Sequence, residues 1–322
     1  MSNLLNLIQE RNISEIKKMI ENKEADPNEI VSINRTALSF AAANNFIDIL
    51  ECLISVGANI NKQNTDKLAY TPLEEASRGG HLEAVKYLIE KGADINKGNS
   101  INNTSLTGAV ICAERAIVEY LIINGANVNA VDDQNQSALH YLCKYGREWW
   151  TLAGALGVIR GEKNEDAQYN RFKKHDKIFN ILLQNGADVN LETSYGFTPL
   201  MLAADSNAEM FIQPLIKKGA KINFQNTKGF SALHAACDKG NVDAAKILIK
   251  KGADINIVDS DGFTPLLGAT ISQNIKLTTL LVKLGADKSI KSKINYRTVS
   301  IGETALDVAT KLKNSKLVNV LK

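Results

Sequence analysis

Residues 231–256, SALHAACDKGNVDAAKILIKKGADIN, hold two helical runs separated by a glycine. Leu233, Ala235 and Ala236 recur at helical spacing, Gly240 breaks the run, and Ala244, Ala245, Ile247, Leu248 and Ile249 form a second run that stops at Gly252. The spacing predicts a helix, a tight turn, a second helix and a glycine stop. Thirty-three residues on, Thr264-Pro265-Leu266 and Gly285-Ala286-Asp287 open and close the same pattern; thirty-three residues back, Thr198-Pro199-Leu200 and Gly219-Ala220 do so again. One helix pair cannot cover both of its apolar faces, so such units are stable only when stacked on neighbours.

Laid along the chain, the pattern places heads at Thr36, Thr71, Thr104, Ser137, Thr198, Ser231, Thr264 and Thr304, with spacings of 35, 33, 33, 61, 33, 33 and 40. Tails fall at Gly57, Gly92, Gly125, Gly186, Gly219, Gly252 and Gly285. The two long spacings locate an excess of 28 residues inside the repeat headed by Ser137 and one of 7 between Gly285 and Thr304. Nine helix pairs result, counting both ends.

A period of 33, heads of the Thr-Pro-Leu-His type (Thr71-Pro72-Leu73, Ser137-Ala138-Leu139-His140, Ser231-Ala232-Leu233-His234), Gly80-His81 at the helix turn and a Gly-Ala-Asp-x-Asn tail resemble the ankyrin repeat. The resemblance covers nearly the whole chain and rests on four features recurring at fixed offsets. It implies an all-α ankyrin-repeat α-solenoid with projecting β-hairpin loops. The expected organisation is an N-terminal capping repeat over 1–33, repeats over 34–134, a repeat over 135–195 with an inter-helix insertion at 147–174, repeats over 196–301 with an extended last hairpin, and a C-terminal cap over 302–322.

Composition bounds the rest. The 38 basic and 35 acidic side chains leave a net charge of +3, too small to argue for a nucleic-acid partner. Cys52, Cys112, Cys143 and Cys237 are scattered without metal or redox spacing and read as small buried residues of a reducing compartment. No run of 18 apolar residues and no secretory leader is visible, so a cytoplasmic protein with no membrane partner is expected; delivery into a host by a specialised secretion system would leave no such mark. Abundant Ile, Lys and Asn fit an AT-rich genome, which favours a bacterium or an intracellular microbe.

Histidine is the first suspect for catalysis near neutral pH. His140 and His234 occupy head slots, His81 follows the turn glycine, and His175 aligns with that slot once the insertion is removed, so all four read as architecture. No phosphate loop, His-Glu-x-x-His or Gly-x-Ser-x-Gly is present. A non-enzyme without cofactor or metal is expected, with an enzyme whose site lies in the insertion as the rival.

The resemblance implies a protein partner on the concave side, read by slots free of structural duty. Immediately before the heads stand Tyr70, Asn103, Gln136, Phe197, Phe230, Phe263 and Glu303, with Tyr195 beside Phe197. A Phe in three consecutive repeats makes an aromatic row suited to a protein interface, although the same rings would also serve simple stacking. Polar slots add Arg78, Lys144, Tyr145, Asp205, Lys228, Lys239 and Asp261 as specificity contacts. Within 147–174, Trp149 and Trp150 mark a second contact site or, alternatively, a first helix that runs on and covers itself. The expected function is a binder or inhibitor, monomeric when free, such as a toxin-neutralising immunity protein; a host-directed effector and a scaffold are the alternatives.

Overall fold

The computed structural model describes residues 3–145, 165–296 and 298–322, with Tyr145 and residues 165–174 described by backbone alone. The chain is an all-α repeat protein. Its helices are α1 (Asn3–Glu10), α2 (Ile13–Glu21), α3 (Ala37–Ala43), α4 (Ile47–Ser55), α5 (Pro72–Arg78), α6 (Leu82–Glu90), α7 (Ser105–Ile111), α8 (Arg115–Ile123), α9 (Ala138–Tyr145), α10 (Glu165–Gln184), α11 (Pro199–Asp205), α12 (Glu209–Lys217), α13 (Ala232–Asp238), α14 (Val242–Lys250), α15 (Pro265–Ile271), α16 (Ile275–Lys283), α17 (Ala305–Lys311) and α18 (Ser315–Leu321). Among the described residues α1/α2, α3/α4, α5/α6, α7/α8, α11/α12, α13/α14, α15/α16 and α17/α18 pack as eight pairs of consecutive helices, with a seven-residue first helix and a nine-residue second helix in each pair between the ends.

Both helix ends follow from the repeat. At Thr36, Thr71, Thr104, Thr198, Ser231, Thr264 and Thr304 the head hydroxyl accepts the backbone N–H three residues on, satisfying one of the orphan donors at a helix start. Pro72, Pro199 and Pro265 take the first helical position, where a missing N–H costs little. The seven tail glycines sit at φ between 82° and 98°, a left-handed stop that a Cβ would strain.

Two compact units divide the chain. Unit 1 is Met1–Ala138 with Trp150–Ala187; unit 2 is Leu139–Trp149 with Asp188–Lys322. In unit 1, Leu38, Leu73 and Leu106, each two residues after its head, are buried with Ile49, Leu50, Leu53, Val85, Leu88, Val118 and Leu121 from the second helices. In unit 2 the same places are taken by Leu200, Leu233 and Leu266 with Ile212, Leu215, Leu248, Leu277 and Leu281. Each fully buried Leu or Ile contributes about 1.5–3 kcal/mol. Fully buried alanines (Ala41, Ala42 and Ala76; Ala203, Ala235 and Ala236) let successive first helices lie close.

Tail asparagines tie neighbouring repeats. In unit 1, Asn96 donates to the Gly125 carbonyl at 3.2 Å and accepts the Asn127 N–H at 2.8 Å; in unit 2, Asn190 donates to Gly219 at 3.0 Å and accepts from Lys221 at 2.9 Å. Their expected role in a local turn is thus joined by a bond to the next repeat.

Three expectations are corrected. Residues 165–174 do not form a separate segment between two helices: they share the 20-residue helix α10 with the usual second-helix positions 176–184. The rest of the insertion, with Trp149 and Trp150, lies outside the described residues. His175 consequently sits buried inside α10 and not at a helix start, where His81 stands. Finally, the loop tips are closed by backbone bonds, such as Asn64 N–H to the Tyr70 carbonyl and Asn226 N–H to the Phe230 carbonyl, but rarely extend into strand ladders. Among the described residues only β1 (Ile30–Ser32) and β2 (Arg35–Thr36) form a ladder, with single bridges at Val131/Ser137 and Tyr296/Val299. The Tyr296/Val299 bridge lies within the lengthened last loop.

Candidate partner-binding surface

In unit 2 the residues before the heads are held in place from beneath. The Phe197 N–H bonds the Thr193 hydroxyl at 3.1 Å, Phe230 N–H the Asn226 side-chain carbonyl at 3.0 Å, and Phe263 N–H the Asp259 carboxylate at 2.7 Å. The same three side chains, four residues before each Phe, close the loop that carries it. Burial pushes the Asp259 carboxyl up from its ordinary range, against the backbone N–H bonds that favour its charged form.

Each Phe is half-buried. The Phe197 and Phe230 rings lie 6.0 Å apart, Phe230 stacks on His234 at 5.4 Å, and Phe263 meets Tyr296 edge-on at 5.8 Å. The rings therefore both stack on neighbours and keep part of their surface open. Tyr195, 72 % exposed, stands two residues from Phe197. Asp205 and Lys239 pair at 3.8 Å, and burial raises the Asp205 carboxyl although Lys239 opposes the shift. At this length and with Lys239 exposed the pair contributes little stability, and the lysine remains available to a partner.

Other expected contact residues have structural duties as well. The Lys228 carbonyl accepts the Ser260 N–H and hydroxyl at 3.0 and 2.8 Å, and the Asp261 carbonyl accepts the Lys293 N–H at 2.8 Å, so successive tips are strapped together by main-chain bonds. The Lys144 carbonyl accepts the Ser206 hydroxyl. The Tyr145 side chain is outside the description.

Unit 1 places different chemistry at the same slots. Arg35 grips Glu75 with two bonds, Nε to Oε1 at 2.8 Å and Nη2 to Oε2 at 3.1 Å, and Asn64 adds a third to Oε1 at 2.9 Å. Tyr70 lies under the Arg78 guanidinium at 4.9 Å, and burial pushes its hydroxyl up to about 12. Gln136 is only 6 % exposed, with its amide on Gln134 at 2.7 Å. Its burial removes it from the surface a partner can reach.

Histidines and cysteines are absorbed by packing. The His234 Nε2–H donates to the Phe263 carbonyl at 3.0 Å while Nδ1 accepts from Ser231, and burial lowers its basicity. His140 donates to Leu191 at 2.9 Å and His81 to Ala43 at 2.9 Å. All four cysteines are free thiols and buried, and burial raises Cys143 and Cys237 well above the ordinary thiol range. Among the described residues no group of three or more His, Cys, Asp and Glu is arranged to hold a metal ion, and no helix is long and apolar enough to cross a membrane.

Two features escaped the reading of the sequence. Ile33 and Ile301, 90 % and 63 % exposed, occupy the tip slot three residues before the head that also holds Tyr195; counting back three from each head would have found them. Glu74 stands three residues after its head, where His140 and His234 stand in theirs. It is fully buried: Oε1 accepts Asn99 at 3.0 Å and Oε2 has no hydrogen-bond partner. Burial holds its carboxyl well above the usual range, with Arg78 opposing and Glu75 reinforcing.

Comparison with known proteins agrees with this architecture. A family model for ankyrin repeats matches three times, over residues 4–99, 167–259 and 210–292. The chain belongs to the ankyrin-repeat family, whose repeats are protein–protein interaction modules. It is 33 % identical over 175 residues to "Putative ankyrin repeat protein FPV031" of Fowlpox virus (strain NVSL), covering 53 % of this chain and 43 % of that protein. It is 29 % identical over 189 residues to "Putative palmitoyltransferase ZDHHC13" of Danio rerio, covering 56 % and 29 %. With the poly(ADP-ribose) polymerase tankyrase of Caenorhabditis elegans it shares 28 % identity over 184 residues, covering 53 % and 8 %. The chain spans less than half the length of each of these relatives.

Proposed function

We propose that the chain is a non-catalytic binder that grips a protein partner on unit 2, along Tyr195, Phe197, Phe230 and Phe263, with Asp205, Lys228, Lys239 and Asp261 setting specificity. The observation that carries this reading is the aromatic row: three half-open rings at one slot of consecutive repeats, each fixed by a side-chain clamp on its own N–H. A surface ordered before binding loses little further entropy when the partner arrives. Aromatic anchors ringed by charges are the usual composition of an interface centre.

Within that class the reading is an inhibitor that acts by occupying its target, of the kind that neutralises a toxin as an immunity protein. Occupation needs only a rigid complementary face. The three His whose bonds are described serve helix starts and neighbouring carbonyls, which supports a role without turnover. The proposal includes a cytoplasmic site, where the four buried thiols stay reduced, and a free chain that is monomeric and binds neither nucleic acid nor membrane.

The test is capture of the partner by the tagged full-length chain from its native source, followed by intact-mass analysis. A stable complex with one protein of unchanged mass is expected, and loss of that protein's toxic activity in the complex identifies the inhibitor role. A covalently modified partner overturns the non-catalytic reading.

A further inference from the structure

The two ends of the sequence carry opposite charge. Residues 188–322 hold 18 basic side chains against 12 acidic, net +6, whereas residues 1–187 hold 20 against 23, net −3. Much of the excess sits at one repeated place in unit 2. The second helices α12, α14 and α16 end in Lys217-Lys218, Lys250-Lys251 and Lys283, all exposed, and Lys221 and Lys288 follow in the tails. None of these seven forms an ion pair with a carboxylate among the described residues; Lys288 Nζ donates to the Lys322 carbonyl at 3.1 Å. Asp254 and Asp287 are the acids in the same tails, and each accepts backbone N–H bonds from the residue two places on.

Favourable interaction with the helix dipole does not account for the row. Unit 1 has the same helix ends and the same glycine stops, yet fills them with Ser55-Val56, Glu90-Lys91 and Ile123-Asn124. Adjacent packed helices stand about 8–10 Å apart, close to the screening length of about 8 Å at physiological ionic strength. Neighbouring lysines therefore add their fields along the row, and an extended anion lying across it meets several at once.

We propose that this lysine edge of unit 2 is a second docking surface, taken by an acidic polypeptide segment. The surface chemistry favours a polypeptide. Residues 188–322 contain 17 Lys and a single Arg, so the planar fork that grips phosphates bidentately is missing from the row. Among the described residues the exposed tyrosines, Tyr195 and Tyr296, are on the loop tips, and the one ring beside the row, Phe224, is half-buried, which leaves bases little to stack on. A bilayer would find Leu284 as the sole exposed large apolar residue at these helix ends. Carboxylates spaced along an extended chain need only point charges, which lysines supply.

The inference is independent of the aromatic row, and the experiment keeps the two apart. Fluorescence anisotropy of a labelled 20-residue poly-glutamate peptide is measured with the full-length chain at low and at physiological salt. Binding that weakens with salt is expected, and K217E/K250E/K283E should lower affinity at least tenfold with the helical circular-dichroism spectrum unchanged. Should that variant fail to fold, K217Q/K250Q/K283Q provides the same comparison with a smaller loss. F197A/F230A/F263A should bind the peptide as the wild type does. Absence of peptide binding at low salt, equal binding by the lysine variants, or tighter binding of duplex DNA or of phosphatidylserine vesicles would each overturn the proposal.

Discussion

Three residues past the head, Glu74 in unit 1 and His234 in unit 2 occupy one structural position with opposite chemistry. His234 is satisfied on both ring nitrogens and buried neutral; Glu74 is satisfied on one oxygen and buried with the other unpartnered. The slots before the heads differ in the same sense. Unit 1 shows Arg35 locked on Glu75 and Tyr70 capped by Arg78, while unit 2 shows three partly open Phe rings. One backbone plan thus carries a charge-locked pair of slots before the heads in one unit and a row of partly open aromatic rings in the other, and such rings are enriched at interface centres.

The largest effect tests that contrast in binding. F197A/F230A/F263A should weaken capture of the partner by at least a hundredfold, at about 2 kcal/mol for each anchoring ring, with the circular-dichroism spectrum retained. Y70A, the same slot in unit 1, should leave affinity within about threefold. Equal losses from the two variants would erase the distinction.

Next in size is stability against pH. Burial raises Glu74 in the folded chain, so the fold prefers its neutral form; this contribution is complete below the unfolded value of about 4.3 and is lost as pH rises through the folded value. E74Q should therefore raise the melting temperature by several degrees at pH 8, at about 1–3 kcal/mol for an unsatisfied buried group, and the gain should vanish near pH 4. His234 works in the other direction. Its folded value is lowered, so its contribution is complete above the unfolded value of about 6.5 and is lost as pH falls from there through the folded value. The NMR signal of its imidazole C2–H should titrate below that point, and a midpoint at or above 6.5 would show the ring to be solvated.

The smallest effect compares two glycines four residues past their heads. A Cβ on Gly108 would stand 2.9 Å from Arg78 Cγ and 3.6 Å from Glu74 Cγ, atoms in the middle of their side chains, whereas one on Gly268 would meet the carboxylate at the far end of the exposed Asp238 side chain. Alanine gains about 1 kcal/mol over glycine within a helix. G268A should thus melt within about 2 °C of the wild type or above it, and G108A below it.

The helix pairs were legible because each end carries its own local signal: a capping Thr or Ser, a proline at the first position, a glycine stop. The Phe row was legible from the same ruler, since 33-residue counting placed all three rings in one slot. His175 keeps the slot before the second-helix positions 176–184, but inside a helix and not at its start. Removing the insertion as a block assumes that it sits between helices, but α10 continues through residues 165–174, and helix continuity leaves no mark on spacing. Burial of Glu74 and Gln136 depends on neighbouring repeats, as does the bond from Asn96 to Gly125; sequence periodicity names such slots without stating what covers them. Ile33 and Ile301 were within reach of the ruler, had it been laid on the tips as well as the heads.

Hydrogen exchange of the captured complex tests the central claim most directly, because it reads contact along both units in one measurement. Added protection is predicted over residues 193–206, 226–239 and 259–272 of unit 2, with unit 1 unchanged. Protection confined to the Arg35–Glu75 and Tyr70–Arg78 region of unit 1 would contradict the account.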